Sequence, residues 1–343
     1  MMHRKFLPLI FLCLALTSPA LLSAGQPRIV GGHDANNGQW PWTVSLVTKD
    51  WFPYDGHFCG GTLIRANWVV TAAHCMHGET TKTVDVIANI LDLTEDNGQR
   101  VAVKRIIKHP NYNAATDNND LALLQLTEPV KNAVSLPLVK DNPRLTGMEA
   151  TIVGWGLLNE HEDTYPGVLQ EASLPIQSNE ACKLSYGDYA ITDKMLCAGY
   201  LEGGLDSCSG DSGGPLMIQQ NGAWVLAGIT SWGTGCARPE LYGVYTRVSR
   251  FVDFINKTLA TDYFALADVN HDKVVDDLDK TQKNKELYNV FLQWQQQCWQ
   301  TRANCADVSK DKRITWYDFS LKKSQYQTAY RNWLNVYWLP EAG

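Results

Sequence analysis

The chain has 343 residues, a formal net charge of −6 and 45% hydrophobic residues, with 12 tryptophans. That length gives room for a full-sized core and a second, smaller unit, and the composition excludes a disordered chain. The mild acidity gives no electrostatic reason to expect nucleic acid or an anionic membrane as partner.

The chain opens with His3-Arg4-Lys5, an apolar run from Phe6 to Leu16 and a small-residue stretch ending near Ala24. This is the layout of a secretory signal peptide over residues 1–24; the run is short for a bilayer span, the alternative being an uncleaved anchor. No later stretch is apolar enough to span, so no membrane partner is expected after signal removal. Cys13 lies inside the signal, leaving Cys59, Cys75, Cys182, Cys197, Cys208, Cys236, Cys298 and Cys305. An even number in an exported chain points to a disulfide set, although spacing alone leaves the pairing open. The lack of a CxxC pair argues against a zinc ribbon or a redox motif.

Arg28-Ile29-Val30-Gly31-Gly32 follows. A cut after Arg28 by a basic-specific protease would free an ammonium at Ile29, which needs a carboxylate such as Asp211 if it folds inward. Judged on this segment alone, an incidental basic residue in a leader is the stronger reading. Residues 40–136 then read as short β-runs between turn signals, among them residues 42–46, 59–64, 68–71, 101–103 and 121–124. The texture returns at 150–155, 168–175, 224–232 and 243–248, which suggests two similar all-β halves with a site between them.

Three short stretches carry chemistry. His74, in Thr71-Ala72-Ala73-His74-Cys75, fits a general base, or by itself a surface or metal histidine. Asp120, in Asn118-Asn119-Asp120-Leu121, fits a buried acid orienting that histidine, or a turn residue. The third is Asp206-Ser207-Cys208-Ser209-Gly210-Asp211-Ser212-Gly213-Gly214-Pro215. Its glycines let a turn push Ser212 outward and aim backbone N–H groups at one point, where a tetrahedral oxyanion would form. A serine hydroxyl is a poor nucleophile and needs such a base and acid.

Together these stretches identify a resemblance. From Ile29 to about Thr261 the chain resembles the trypsin-like (chymotrypsin-fold) serine proteases. The matching motifs are Ile29-Val30-Gly31-Gly32, Cys59-Gly60-Gly61-Thr62-Leu63-Ile64, Thr71-Ala72-Ala73-His74-Cys75, Asn119-Asp120-Leu121-Ala122-Leu123, Gly154-Trp155-Gly156, Gly210-Asp211-Ser212-Gly213-Gly214-Pro215 and Ser231-Trp232-Gly233. The resemblance implies an all-β domain of two six-stranded antiparallel barrels over residues 29–261, with the site in the cleft. It implies His74 as general base, Asp120 as its orienter, Ser212 as nucleophile, and the N–H groups of Gly210 and Ser212 as oxyanion hole. Residues 25–28 become an activation peptide, and the Ile29 ammonium pairs with Asp211 after cleavage. Asp206, at the base of the specificity pocket, implies preference for Arg or Lys before the scissile bond, with Gly233 and Gly243 keeping the pocket open. Tyr242 stands where trypsin usually has proline. The implied disulfides are Cys59–Cys75, Cys182–Cys197 and Cys208–Cys236. No catalytic cofactor is implied. The partners are protein or peptide substrates with Arg or Lys before the cut, and an activating protease that includes the enzyme itself among its candidates.

Past Thr261 the texture changes, which sets off a module over residues 262–343. Asp268, Asn270, Asp272, Asp276 and Asp279 place oxygens at loop positions one, three, five, nine and twelve; Asp307, Ser309, Asp311, Thr315 and Asp318 repeat this. The pair resembles EF-hand or dockerin-type calcium loops, although Lys273 and Lys312 replace the glycine usual at position six. The alternative is an acidic turn pair without metal; the duplication favours Ca2+. Almost no helix is expected to enter the first loop, which is dockerin-like. The residues at positions ten and eleven, Asp277-Leu278 and Trp316-Tyr317, do not match the usual partner-binding pair, so a cohesin-like partner is not assumed. A helix after each loop is expected, with Leu287, Val290, Phe291 and Trp294 facing Phe319, Tyr326, Tyr330, Trp333 and Tyr337, and Cys298 paired with Cys305. By analogy this combination suggests a secreted bacterial exoprotein.

Overall fold

The structure, a computed structural model, describes residues 29–140, 144–161, 163–267, 277–301, 305, 308–310 and 316–337. The expected signal peptide and Arg28 lie outside these residues. In chain order the strands are β1 (His33–Asp34), β2 (Thr43–Thr48), β3 (His57–Arg65), β4 (Trp68–Thr71), β5 (Val84–Ala88), β6 (Gln99–Lys108), β7 (Ala122–Leu126), β8 (Glu149–Gly154), β9 (Gln170–Gln177), β10 (Met195–Ala198), β11 (Pro215–Gln220), β12 (Ala223–Trp232) and β13 (Gly243–Arg247).

Two closed six-stranded antiparallel barrels result, as the resemblance implies. The first runs β2-β3-β4-β7-β6-β5 and returns to β2. The second runs β8-β9-β10-β13-β12-β11 and returns to β8, with β1 added outside β9. Strands β4 and β7 are buried along their whole length, so they read as continuous apolar runs rather than as strict alternation. Strands β5, β10 and β11 were not among the expected β-runs. β11 starts at Pro215, where proline's missing donor is tolerated because it is the first residue of the strand.

Among the helices, α1 (Pro53–Gly56) is a single turn and α2 (Asn179–Tyr186) has a capped start and end. Ser178 Oγ accepts from the Ala181 N–H at 3.0 Å, and Gly187 ends α2 at φ 91°. The longer helices are α3 (Val252–Ala267), α4 (Asp277–Trp294), continued by a π-helical turn over Gln295–Trp299, and α5 (Trp316–Tyr337).

The C-terminal region corrects two expectations. Helix α3 runs unbroken from Val252 to Ala267, so a full helix, not the short stretch expected, leads toward the first acidic loop. Val290 is exposed, whereas Phe291, Trp294 and Cys298 are buried against Trp299, Val308, Phe319 and Tyr326. A helix turns about 100° per residue, so the buried stripe through residues 291, 294 and 298 carries residue 290 to its flank. The Trp294 indole N–H donates to the Cys305 carbonyl at 2.9 Å beside the Cys298–Cys305 disulfide. Of the expected calcium donors, Asp268, Asn270, Asp272, Asp276, Asp307, Asp311 and Thr315 lie outside the described residues. Asp279 and Asp318 fall in α4 and α5, with their side chains outside the description, as are those of Trp333 and Tyr337.

Candidate active site

Strand pairing brings His74 and Asp120 together. β4 and β7 are antiparallel with Thr71 opposite Ala122, so the chain leaving β4 runs beside the chain entering β7. The His74 imidazole Nδ1–H donates to Asp120 Oδ2 at 2.7 Å, and the His74 backbone N–H donates to Oδ1 at 2.8 Å. Asp120 is fully buried, and Ser231 Oγ also donates to Oδ2, at 2.5 Å. Thr246 Oγ1 donates to the Asp120 carbonyl at 2.6 Å, so β12 and β13 of the second barrel grip an acid supplied by the first. Burial alone would lower the His74 pKa, but the hydrogen bond and charge of Asp120, with the charge of Asp117, carry it above its ordinary value.

The Ser212 stretch comes from the second barrel. The Gly60 N–H of β3 donates to the Ser212 carbonyl at 2.7 Å, and Gly213 N–H donates to Thr230 at 2.8 Å. Gly213 has φ 79°, and a β-carbon there would lie 2.1 Å from Thr71 Oγ1 and 3.2 Å from the Ala72 nitrogen. The turn thus lies against the segment leading to His74. Among the described residues Ser212 Oγ makes no hydrogen bond, and His74 Nε2 lies 3.7 Å from Cys75 Sγ. The structure therefore shows direct contact for His74 and Asp120, and proximity for Ser212. Such contacts tighten when substrate binds.

The amide groups around Ser212 divide into used and unused. Asp211 N–H donates to Cys208 at 3.0 Å and Gly214 N–H donates to Asp211 at 3.0 Å. Among the described residues the N–H groups of Gly210 and Ser212 donate to nothing. Gly210 itself is anchored by His57, whose Nε2 lies 3.1 Å from the Gly210 carbonyl and whose Nδ1 lies 2.8 Å from Ser45 Oγ. A carbonyl only accepts, so Nε2 carries the proton. Burial pushes the His57 pKa down to about 4, so the ring is neutral and Nδ1 accepts from Ser45.

Two buried carboxylates flank the serine. Asp211 accepts from the N–H groups of Gly156 and Cys208, each at 2.8 Å. Its carboxyl fills the space that β-carbons would take at Gly154 and Gly156, which would lie 2.1 Å and 2.5 Å from its oxygens. That close approach accounts for both glycines of the Gly154-Trp155-Gly156 motif. Burial raises Asp211 to about 6, opposed by those two N–H groups. Ile29 is fully buried. Asp206 accepts from Ser207 N–H at 2.8 Å and from Ala237 N–H at 3.1 Å, and burial raises it to about 7. A β-carbon at Gly243 would lie 2.6 Å from Asp206 Oδ1, whereas one at Gly233 would meet only Gly235 O at 3.8 Å.

All four expected disulfides form: Cys59–Cys75, Cys182–Cys197, Cys208–Cys236 and Cys298–Cys305. Cys59, His74 and Cys75 gather ligand-type atoms, but the two sulfurs are bonded to each other and offer no thiolate to a metal. Sequence reading missed the support given by Ser231, Thr246, His57 and Asp117. Ser231 sits in a quoted motif, but nothing in the sequence points it at Asp120. Among the described residues, no helix is long and apolar enough to cross a membrane. A family profile described as Trypsin matches residues 29–255.

Proposed function

The chain belongs to the trypsin family and is a serine endopeptidase, and we propose that it cleaves after Arg or Lys once a cut after Arg28 has activated it. His74 Nε2 takes the proton of Ser212 Oγ as that oxygen attacks the scissile carbonyl carbon, then delivers it to the leaving amine. Asp120 keeps Nδ1 protonated and stabilises the imidazolium. Water, activated by the same histidine, then hydrolyses the acyl ester on Ser212. The observation that carries this assignment is the pair of undonated N–H groups at Gly210 and Ser212, beside the His74–Asp120 contact. Each such donor contributes roughly 3 kcal/mol to transition-state stabilisation. The chemistry needs no catalytic cofactor.

Asp206 supplies the preference for a basic residue. Its burial and its two backbone donors support this, because a guanidinium or ammonium entering the pocket finds a desolvated, oriented carboxylate. Asp211 receives the Ile29 ammonium after cleavage; the burial of both residues supports that pairing. The amino-terminal signal layout supports secretion. The oxygen-rich loops at 268–279 and 307–318 bind Ca2+ in this proposal, on the strength of their duplicated spacing. Calorimetric titration tests that point, and absence of both heat and stabilisation removes it. The central test is hydrolysis of an arginyl ester by the activated enzyme. Ser212→Ala should abolish it, and activity surviving that change would overturn the assignment.

A further inference from the structure

Glu160 lies on the loop after β8, in no motif that the family resemblance uses, yet it makes three contacts with the wall of the Asp206 pocket. Its Oε2 accepts from the Cys236 backbone N–H at 3.0 Å. Both of its carboxylate oxygens lie 3.0 Å from Arg238 Nε. The neighbouring residue, Ala237, donates its N–H to Asp206 Oδ2 at 3.1 Å, and its carbonyl accepts from the Gly204 N–H at 2.9 Å. Cys236 is also the end of the Cys208 disulfide. Glu160 thus grips the residues immediately before and after the one that orients the pocket carboxylate.

The chain makes room for this contact. Gly235 has φ 72°, and a β-carbon there would lie 2.2 Å from Arg238 Nε and 2.5 Å from Glu160 Oε2. The ion pair is therefore seated directly over the Gly235 backbone. Glu160 is half-buried, and Arg238 and the Cys236 N–H hold its carboxyl below its ordinary pKa. An exposed ion pair alone contributes little. The backbone N–H contact is different, because it fixes Cys236, next to the residue whose N–H holds Asp206.

We propose that Glu160 is a positioning residue for basic-residue specificity, holding Cys236 and Arg238 on either side of Ala237 so that the Ala237 N–H keeps Asp206 aimed into the pocket. The inference rests on the assignment of Asp206 given above. Glu160 touches neither the reacting atoms nor the basic side chain, so its effect falls on substrate binding rather than on acyl transfer.

The test compares Glu160→Ala, Glu160→Gln and Arg238→Ala in the activated full-length enzyme, using an arginyl ester and an ester with a neutral side chain. Glu160→Ala should raise KM for the arginyl ester about tenfold, leave kcat within about twofold, and leave the neutral ester unaffected. Glu160→Gln keeps an acceptor oxygen for Cys236 N–H and should restore much of the loss. Arg238→Ala leaves that N–H bond intact and should have the smaller effect. If Glu160→Ala does not fold, Glu160→Leu, which keeps the bulk but has no acceptor, replaces it, and an arginyl KM equal to that of Glu160→Gln overturns the proposal. An unchanged arginyl KM in Glu160→Ala also overturns it, as does an equal loss on both esters. If the unaltered enzyme shows no arginyl preference, the assignment of Asp206 falls and the inference with it. If the preference is present and Glu160→Ala leaves it intact, the inference alone falls.

Discussion

Asp206→Asn separates what the pocket carboxylate does for catalysis from what it costs the fold. Burial raises this carboxyl from 3.8 to about 7. A shift of about three units, at 1.36 kcal/mol each, corresponds to roughly 4 kcal/mol of native-state destabilisation at pH 8. The sign follows from proton binding. The native state holds the proton more tightly than the unfolded chain, so the penalty is full above the native pKa. It shrinks as pH falls through about 7 and is gone below about 4. Asparagine removes the charge but offers one acceptor oxygen to the two N–H groups of Ser207 and Ala237. The unpaired N–H costs roughly 1–3 kcal/mol. That cost cancels against the protonated aspartate, which leaves the same N–H unpaired, so the variant should be more stable by about 4 kcal/mol at pH 8. At pH 4 it should gain nothing, because a protonated carboxyl, like asparagine, offers one carbonyl oxygen to the two N–H groups. Meanwhile kcat/KM for an arginyl ester should fall by roughly 2–5 kcal/mol, a factor of about thirty to several thousand. Urea unfolding at both pH values, in a Ser212→Ala background that prevents self-digestion, measures the first effect. Ester hydrolysis in the active background measures the second. Equal or lower stability at pH 8, or retained arginyl activity, refutes the reasoning.

For the arginyl ester, kcat/KM should fall with two protons on the acid side, because His74, raised above 6.5, and Asp206, at about 7, must both be deprotonated in the free enzyme. The limb of kcat should involve one, since bound substrate already neutralises Asp206; a single-proton limb in kcat/KM counts against Asp206. Gly156→Ala would put a β-carbon 2.4 Å from Asp211 Cγ, so it should cost about 2 kcal/mol or more in urea unfolding and reduce activity. A neutral result there would mean that the Asp211 carboxyl does not need its seat. Arg28→Gln should leave an uncut, inactive precursor on a gel and in the ester assay, and full activity would remove the activation step.

The barrels were legible because glycine, asparagine and proline punctuate short β-runs, and because the motif order matched a known pattern. The contact between residues 74 and 120 was not legible from spacing. It depends on the register that sets Thr71 opposite Ala122, which pairs strands about fifty residues apart. The same holds for Ser231, Asp117 and Glu160, whose partners lie on other loops. β5, β10 and β11 were not singled out because β5 carries Asp85, β10 has no β-branched residue and β11 begins with proline, each of which weakens a strand signal. At the C-terminal end the stretch from Tyr263 to Ala267 reads as too short for a helix entering the first loop, but it is the end of α3, which begins at Val252. Composition marks a change of surroundings, whereas a helix ends only where a cap, glycine or proline ends it, and residues 258–267 contain none.

The ten residues from Asp206 to Pro215 hold two buried carboxylates, and both lie in the same physical state. Each is satisfied by two backbone N–H groups, and each is raised by burial, to about 7 and about 6. Among the described residues neither has a cationic partner, and a buried acid so placed gains most from any cation that reaches it. On the reading proposed above the two cations arrive from different sources. The Ile29 ammonium is made by cleavage and reaches Asp211, next to the unused N–H groups. The basic side chain comes with each substrate and reaches Asp206, and leaves with the product. One carboxylate would then respond once in the lifetime of the molecule and the other once in each turnover. The backbone between them, Ser207 to Gly210, is tied to both, through Ser207 N–H on Asp206 and Cys208 N–H on Asp211. An activated enzyme should therefore bind a guanidinium ligand more tightly than the uncut Arg28→Gln form, because the first cation fixes the segment that the second needs. Calorimetric titration of both forms with benzamidine, in a Ser212→Ala background cut by an added protease, measures the difference, and equal affinities would show that the two carboxylates act independently.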